Sequence, residues 1–277
     1  MFFMGKSEDT VKRNYSPLVE YEWKRLIADP FHRLEYETSH RFLGKYLPKK
    51  GLILDAGGGP GRYTIDLAKA GHQMVLLDPV PEHLEYASKK IDEAGVSGKV
   101  NAILEGTITN LSRYKTGTFD AVICLGGPLS HVQPASARRK AVVELVRVAQ
   151  KKAPIFISVM SRYGVLLATP QGWPQEAGLT GHFRKIVYHG DDTMWRGKGY
   201  CHFFTSKELK ELVRREKVAV LAMVGLEGLI PNEGSGNDFA KNYPKAWKNW
   251  LSIHERTCTD PFVVDASAHM MIIARKK

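Results

Sequence analysis

The chain has 277 residues, enough for one large domain or two small ones, and its 43% hydrophobic and 25% charged content is ordinary for a protein that buries a core. Its net charge of +11 is spread over short clusters (Arg138-Arg139-Lys140, Lys151-Lys152, Arg214-Arg215, Arg275-Lys276-Lys277), which read as solvated helix faces and keep nucleic-acid binding only as a rival. Apolar stretches no longer than Ala153 to Met160 or Val218 to Leu226 exclude a membrane-spanning helix, and three scattered cysteines (Cys124, Cys201, Cys258) exclude a disulfide framework and a C-x-x-C metal pair.

Residues 1–14 are polar and expected to fray. Met1-Phe-Phe-Met4 is too brief for a signal-peptide core, so a cytoplasmic location is expected. From Tyr15 to Tyr46 apolar residues recur at helical spacing, broken at Asp29-Pro30, which predicts two helices. An alternation of strands and helices follows. Strands are expected at Leu52 to Ala56, Met74 to Asp78, Val100 to Glu105, Ala121 to Leu125 and Ile155 to Met160, with helices at Arg62 to Ala70, Pro81 to Ala94 and Ala135 to Lys151. Such alternation implies parallel strands with right-handed crossovers, an α/β doubly wound sheet. Residues 161–200 are rich in glycine, proline and aromatic residues, too irregular for a crossover and too aromatic for a linker, so an ordered lid is expected. Thr205-Ser-Lys-Glu208 is a capping box that starts a helix to about Arg215, followed by a strand at Val218 to Val224. A second excursion, about 229–262, carries Phe239, Tyr243, Trp247, Trp250 and His254 at helical spacing, and Ala266 to Ala274 reads as a closing strand.

The most informative segment is Leu52-Ile-Leu-Asp-Ala-Gly-Gly-Gly-Pro-Gly61, with Asp78 ending the next strand. Glycine at 57, 58, 59 and 61 lets the chain turn sharply from strand to helix and lets a ligand lie against the backbone, where N–H groups at the helix start remain as donors. Gly57 and Gly59 fit a dinucleotide fingerprint, but Arg62 stands where its third glycine belongs, which weakens an NAD reading. No Gly-Lys-Ser/Thr follows, which removes a phosphate-binding P-loop.

The pattern D-x-G-x-G-x-G with a strand-end acid resembles the class I S-adenosylmethionine-dependent methyltransferases, and Leu-Asp-Ala-Gly-Gly-Gly-Pro-Gly-Arg-Tyr looks like their small-molecule, ubiquinone-biosynthesis-like branch. The resemblance implies a mostly parallel seven-stranded sheet with an antiparallel last strand, a helical N-terminal cover over residues 1–47, and a methyltransferase domain over 48–277 with lid insertions at about 161–200 and 229–262. It implies S-adenosylmethionine as donor and S-adenosylhomocysteine as product. Gly57, Gly59 and Gly61 would cradle the donor, Asp78 would hold its ribose diol, and Asp55 would orient the loop or hold the donor's amino group. Relatives commonly carry Gly-Asp after the third strand. This chain has Gly106-Thr107, so Thr107 and Ile108 would hold adenine through backbone groups.

Leu125 and Gly126, in Cys124-Leu-Gly-Gly-Pro-Leu-Ser-His131, resemble the segment beneath the donor's methionine. His131 is the candidate base for an acceptor's proton, with hydrogen bonding to the donor's tail or simple packing as the other readings. Arg33 in the leading helices is a partner for the donor's carboxylate, and Tyr36 and Tyr15 would stack or hydrogen-bond. Tyr36, and Tyr163, His182, Trp195 and His202 in and beside the first insertion, are the substrate-facing candidates, and no histidine pair has zinc-ligand spacing with a carboxylate, so no metal is expected. The expected reaction is methyl transfer to a small molecule. The rivals are an RNA methyltransferase, a non-catalytic cofactor- or partner-binding module, and an NAD-dependent dehydrogenase.

Overall fold

The computed structural model describes residues 2–193 and 199–277. Three helices precede the sheet: α1 (Phe2–Tyr15), α2 (Val19–Ala28) and α3 (Pro30–Tyr46). Asp29 separates the last two because its side chain accepts from the His32 amide at 3.0 Å while Pro30 takes the first helical position, where no amide is needed. Helix α1 corrects the expectation of frayed residues 1–14. Its polar composition says little, but its C-terminal turn is tied down by Lys12 to Glu105, by Tyr15 to His131 and by neighbouring Ser16 to Glu82.

The body alternates β1 (Leu52–Ala56), α4 (Arg62–Lys69), β2 (Gln73–Asp78), α5 (Pro81–Glu93), β3 (Val100–Glu105), β4 (Ala121–Cys124), α6 (Ala135–Val148) and β5 (Pro154–Met160). The first excursion holds α7 (Arg162–Gly172), α8 (Pro174–Ala177), α9 (Thr180–His189) and a two-stranded hairpin, β6 (Asp191–Asp192) with β7 (Cys201–His202). Then come α10 (Ser206–Arg214), β8 (Val218–Gly225), α11 (Glu233–Asn242), α12 (Pro244–Thr257), α13 (Pro261–Ala266) and β9 (His269–Lys276). Seven strands form one sheet in the order β3-β2-β1-β4-β5-β9-β8, and β9 runs antiparallel to both neighbours. The doubly wound sheet and its antiparallel last strand are therefore as the sequence implies. The closing strand starts three residues later than expected because 261–266 form α13, started by the Asp260 side chain.

Alternation along each strand divides the core between the two faces. Ile53, Met74, Leu76 and Ile123 pack with α3, α4 and α5, whereas Leu54, Val75, Leu77 and Val122 pack with α6 and α10. Each such fully buried aliphatic side chain contributes about 1.5–3 kcal/mol.

The segment 162–189 is mostly helical, where the sequence predicted an ordered lid without regular elements. Glycine and proline there punctuate short helices instead of preventing them: the Ser161 hydroxyl accepts from the Gly164 amide at the start of α7, Pro174 begins α8, and Gly190, at φ 78°, ends α9. This insertion has its own small core of Ile186, Cys201 and Phe203 against Met160, Val165 and Phe183. The second excursion packs Phe239 and Trp247 on Phe31 and Leu34 of α3. Among the described residues no helix is long and apolar enough to cross a membrane.

Candidate active site

Strand order reverses between β1 and β4, and in sheets of this kind the crevice beyond the strands' carboxyl ends at that point receives the ligand. Here the crevice is a cleft bordered on its open side by α1 and α2 through Val11, Tyr15 and Arg25. Its floor is the turn after β1. Gly57, Gly59 and Gly61 have φ of 79°, 54° and 81°, values that disfavour any side chain. A Cβ on Gly57 would also stand 2.6 Å from Pro128 Cγ, so the turn and the segment after β4 are in backbone-to-side-chain contact.

Asp78, at the end of β2, lines the cleft and is buried. Its Oδ2 accepts the Gly59 amide at 2.8 Å and its Oδ1 the Val80 amide at 2.9 Å, which fixes the glycine turn against β2. Burial raises its pKa, opposed by nearby His83 and by the two amides. Asp55 does not line the cleft. It sits beneath the turn, where it accepts the Thr64 hydroxyl at 2.7 Å and where a Cβ on Gly58 would meet its carboxyl. Burial pushes its pKa up to about 7, against the lowering effect of Thr64.

Thr107, Ile108, Leu125 and Gly126 all line the cleft. The Thr107 hydroxyl is occupied locally: it accepts the Thr109 amide at 3.1 Å and lies 2.9 Å from the Thr109 hydroxyl. Gly126, at φ 79°, donates its amide to Ser158 Oγ at 2.8 Å. His131 lines the cleft with its Nε2 2.9 Å from the Tyr15 hydroxyl and its Nδ1 2.9 Å from the Tyr200 carbonyl oxygen.

Two arginines line the cleft, Arg25 and Arg62, and Arg33 is not one of them. Arg33 is exposed on α3 and is not among the lining residues, while Arg25, one helix earlier, reaches to 3.7 Å from where a Gly126 Cβ would stand. Arg25 is held by Glu35 at 2.5 Å and Glu22 at 3.4 Å, and Glu35 lies beside the buried pair of His269 and Glu227 at 2.6 Å. Burial alone would raise the Glu35 carboxyl, yet Arg25 and His269 hold it down at about 2. The break at Asp29-Pro30 resets helical phase, so the sequence could not tell which of Arg25 and Arg33 faces the ligand. The i,i+3 pair Glu22 and Arg25 was the available signal.

The other side chains expected to face substrate lie elsewhere. Tyr36 donates to Asp66 Oδ2 at 2.8 Å and packs on His40 and Tyr63. Tyr163 is half exposed on α7, and His182 on α9 lies 3.6 Å from Asp192. His202 is buried between Asp191 and Glu208, each at 2.7 Å, where it ties the small hairpin to α10. None of these four lines the cleft, and Trp195 lies outside the described residues. His83 was missed by sequence reasoning: it lines the cleft, is buried, and its Nε2 has no hydrogen-bond partner among the described residues.

The cleft's chemistry suits a nucleoside joined to an amino acid. It offers a backbone cradle open above Gly59, a strand-end carboxylate, an unsatisfied imidazole nitrogen at His83, a guanidinium at Arg25 and walls that are mainly apolar. Residues 53–152 match the family model described as "Methyltransferase domain". Those residues thus carry a methyltransferase domain, and the chain is similar over them to S-adenosylmethionine-dependent methyltransferases. A 169-residue stretch is 30% identical to a probable methyltransferase, ltbC, of Aspergillus luteorubrus, covering 56% of this chain and 55% of that one. A 90-residue stretch is 36% identical to the tRNA 5-carboxymethoxyuridine methyltransferase of Escherichia coli K12, covering 28% and 34%. The chain therefore spans about half, and about a third, of these two relatives. In fold it is similar to a Burkholderia thailandensis 1,6-didemethyltoxoflavin-N1-methyltransferase, solved with its substrate and S-adenosylhomocysteine, with a TM-score of 0.60, 15% identity, and coverage of 100% of this chain and 92% of that one.

Proposed function

We propose that this chain moves a methyl group from S-adenosylmethionine to a nucleophilic atom of a small molecule by in-line displacement. The observation that carries the reading is the convergence of the glycine turn, Asp78 and Gly126 on one apolar cleft at the sheet's switch point. Bound there, S-adenosylmethionine supplies a methyl already activated by a sulfonium centre. The protein's part is to bind, orient and exclude water, and proximity is its main lever.

In this reading Gly57, Gly59 and Gly61 admit the donor against bare backbone, and Asp78 holds the ribose hydroxyls beside His83. Thr107 and Ile108 flank adenine through main-chain groups. Arg25 takes the carboxylate partnership first expected of Arg33, while Leu125 and Gly126 form the floor next to it. His131 borders the acceptor's space. The helices over residues 1–47 act as the cover. The first insertion supports that space from outside through the Tyr200 carbonyl and not through His182, Tyr163 or His202.

A tRNA acceptor is the second reading, favoured by the Escherichia coli relative and the charge of +11. The clusters at 138–139 and 215 do meet at one groove, but Glu208 and Glu211 share it, which breaks up the basic surface. Measuring S-adenosylhomocysteine formation with a small-metabolite panel against bulk tRNA decides between them. Turnover confined to tRNA would overturn the small-molecule assignment.

A further inference from the structure

We infer that Glu35 and His269 are positioning residues for the donor's carboxylate: a largely buried chain of charges, running from Glu227 through His269 and Glu35 to Arg25, ties the N-terminal cover to the sheet and presents one edge of the Arg25 guanidinium to the cleft floor at Gly126. This deepens the proposed methyl transfer and rests on the Arg25 partnership within it.

The chain of charges begins on the sheet. Glu227, just after β8, accepts the Ser267 hydroxyl and the His269 amide on one oxygen, each at 2.8 Å, and faces His269 Nδ1 with the other at 2.6 Å. An ionised carboxylate can only accept, so Nδ1 carries a proton. His269 opens β9, which is paired on both sides, and its Nδ1 lies 3.9 Å from Glu35 Oε2 on α3. The same oxygen takes Arg25 Nη1 at 2.5 Å, whereas the second contact, from Nη2 to Oε1, is long at 3.4 Å. The fork is therefore closed on one side and loose on the other. Nη2 is the edge toward the cleft floor, 3.7 Å from where a Gly126 Cβ would stand. The other lining arginine is engaged elsewhere: Arg62 donates to the Trp23 carbonyl and stacks over the Trp23 ring.

The charge on His269 keeps that fork loose. Glu35 and Glu227 are each 1% exposed, so water screens neither carboxylate. With His269 protonated, Oε2 of Glu35 is shared between two cations and Nη2 is left to a ligand carboxylate. With His269 neutral, Glu35 has Arg25 in its place, and closure of the fork on both oxygens, the stronger geometry, draws Nη2 away from the cleft. Burial alone would lower the His269 pKa, but Glu227 and Glu35 raise it above its ordinary value of 6.5, with Arg25 opposing. The charge is present below that raised pKa and is lost as pH rises through it, and donor affinity falls in the same direction. The other titratable groups around the chain of charges are Glu22 of α2 against Arg25, His32 of α3 and Tyr63 of α4 beside Glu35, and His254 of α12 beside Glu227. Burial raises Tyr63 and lowers His254, so both are uncharged in the window that His269 governs.

Isothermal titration calorimetry on the full chain tests this with two ligands: S-adenosylhomocysteine, and its decarboxylated analogue, which keeps the adenosine, the sulfur and the amine. The ratio of the two affinities isolates the carboxylate and cancels effects common to both, such as the titration of Asp55 beneath the glycine turn. In the wild type the preference for S-adenosylhomocysteine falls as pH rises from about 6.5 to about 8.5. His269→Asn, which keeps an N–H for Glu227 without the charge, lowers that preference about fivefold or more at the lower pH and removes its pH dependence. Glu35→Gln breaks the link in the middle and also flattens the profile. Glu227→Gln shifts the fall to lower pH, and it carries the test if His269→Asn does not fold. A wild-type preference independent of pH, or equal weakening of both ligands by His269→Asn, overturns the positioning role. Arg25→Ala separates this from the reading beneath it. A selective loss of S-adenosylhomocysteine in Arg25→Ala with none in His269→Asn overturns only the roles of Glu35 and His269, whereas no selectivity in Arg25→Ala removes the carboxylate partnership itself. If neither ligand binds the wild type, the reading of the cleft falls.

Discussion

The Asp78 carboxylate reaches back across the ligand turn to the Gly59 amide, 2.8 Å from Oδ2, while its other oxygen takes the Val80 amide. One side chain thus fixes the shape of the cradle and presents charge to the cleft. Asp78→Asn replaces one acceptor oxygen with an NH2 group facing an N–H donor. Charge-assisted hydrogen bonds of this kind contribute about 1.5–3 kcal/mol. S-adenosylhomocysteine affinity should fall roughly 10- to 100-fold by isothermal titration calorimetry.

Glu35 is 1% exposed and neutralises Arg25 at 2.5 Å with His269 close behind. Glu35→Ala leaves a buried guanidinium without its nearest partner, a change expected to lower unfolding free energy by about 3–5 kcal/mol in urea titrations. Arg33→Ala, on the exposed face of α3, should change stability by less than about 0.5 kcal/mol. In ligand binding the contrast should repeat: Arg25→Ala weakens S-adenosylhomocysteine and Arg33→Ala does not. Equal effects of the two arginine variants would contradict the placement.

Two glycines make a paired test. Gly57→Ala adds a Cβ at φ 79°, 2.6 Å from Pro128, so backbone and Pro128 must both shift. The left-handed backbone alone costs about 1–2 kcal/mol, and S-adenosylhomocysteine binding should be lost with it. Gly44, exposed within α3, has nothing within 4 Å of its missing Cβ. Gly44→Ala should stabilise the protein by about 0.5–1 kcal/mol through helix propensity and leave binding intact. Thermal denaturation reads both.

The buried Asp55 sets a pH dependence. Burial raises its pKa from 3.8 to about 7, so between those values the folded chain holds a proton that the unfolded chain has released. Its contribution to stability is full below pH about 4 and is lost as pH rises to about 7. Asp55→Asn keeps the Thr64 contact and removes the titration. Urea unfolding across that window should lose the corresponding fall in stability, and an unchanged profile would place the pH dependence elsewhere.

What the sequence makes legible follows from where local rules act alone. The turn at Gly57 to Gly61, the strands β1 to β5 and Asp78 are readable because glycine, alternation and strand ends carry their structural meaning within ten residues. Helix α1 is not readable, since it is held by distant partners such as Glu82 and His131. Helices α7 to α9 are hidden because glycine and proline serve both to break helices and to cap them. The choice of Arg25 over Arg33, the engagement of His202 by Asp191 and Glu208, and the place of His83 depend on tertiary packing.

The most direct test of the central claim is a thermal-shift comparison of S-adenosylmethionine, S-adenosylhomocysteine, NAD and NADP on the wild type and on Asp78→Ala. The account predicts stabilisation of the wild type by the first two ligands alone, and loss of that shift in the variant. A shift with NAD or NADP and none with S-adenosylhomocysteine would contradict it.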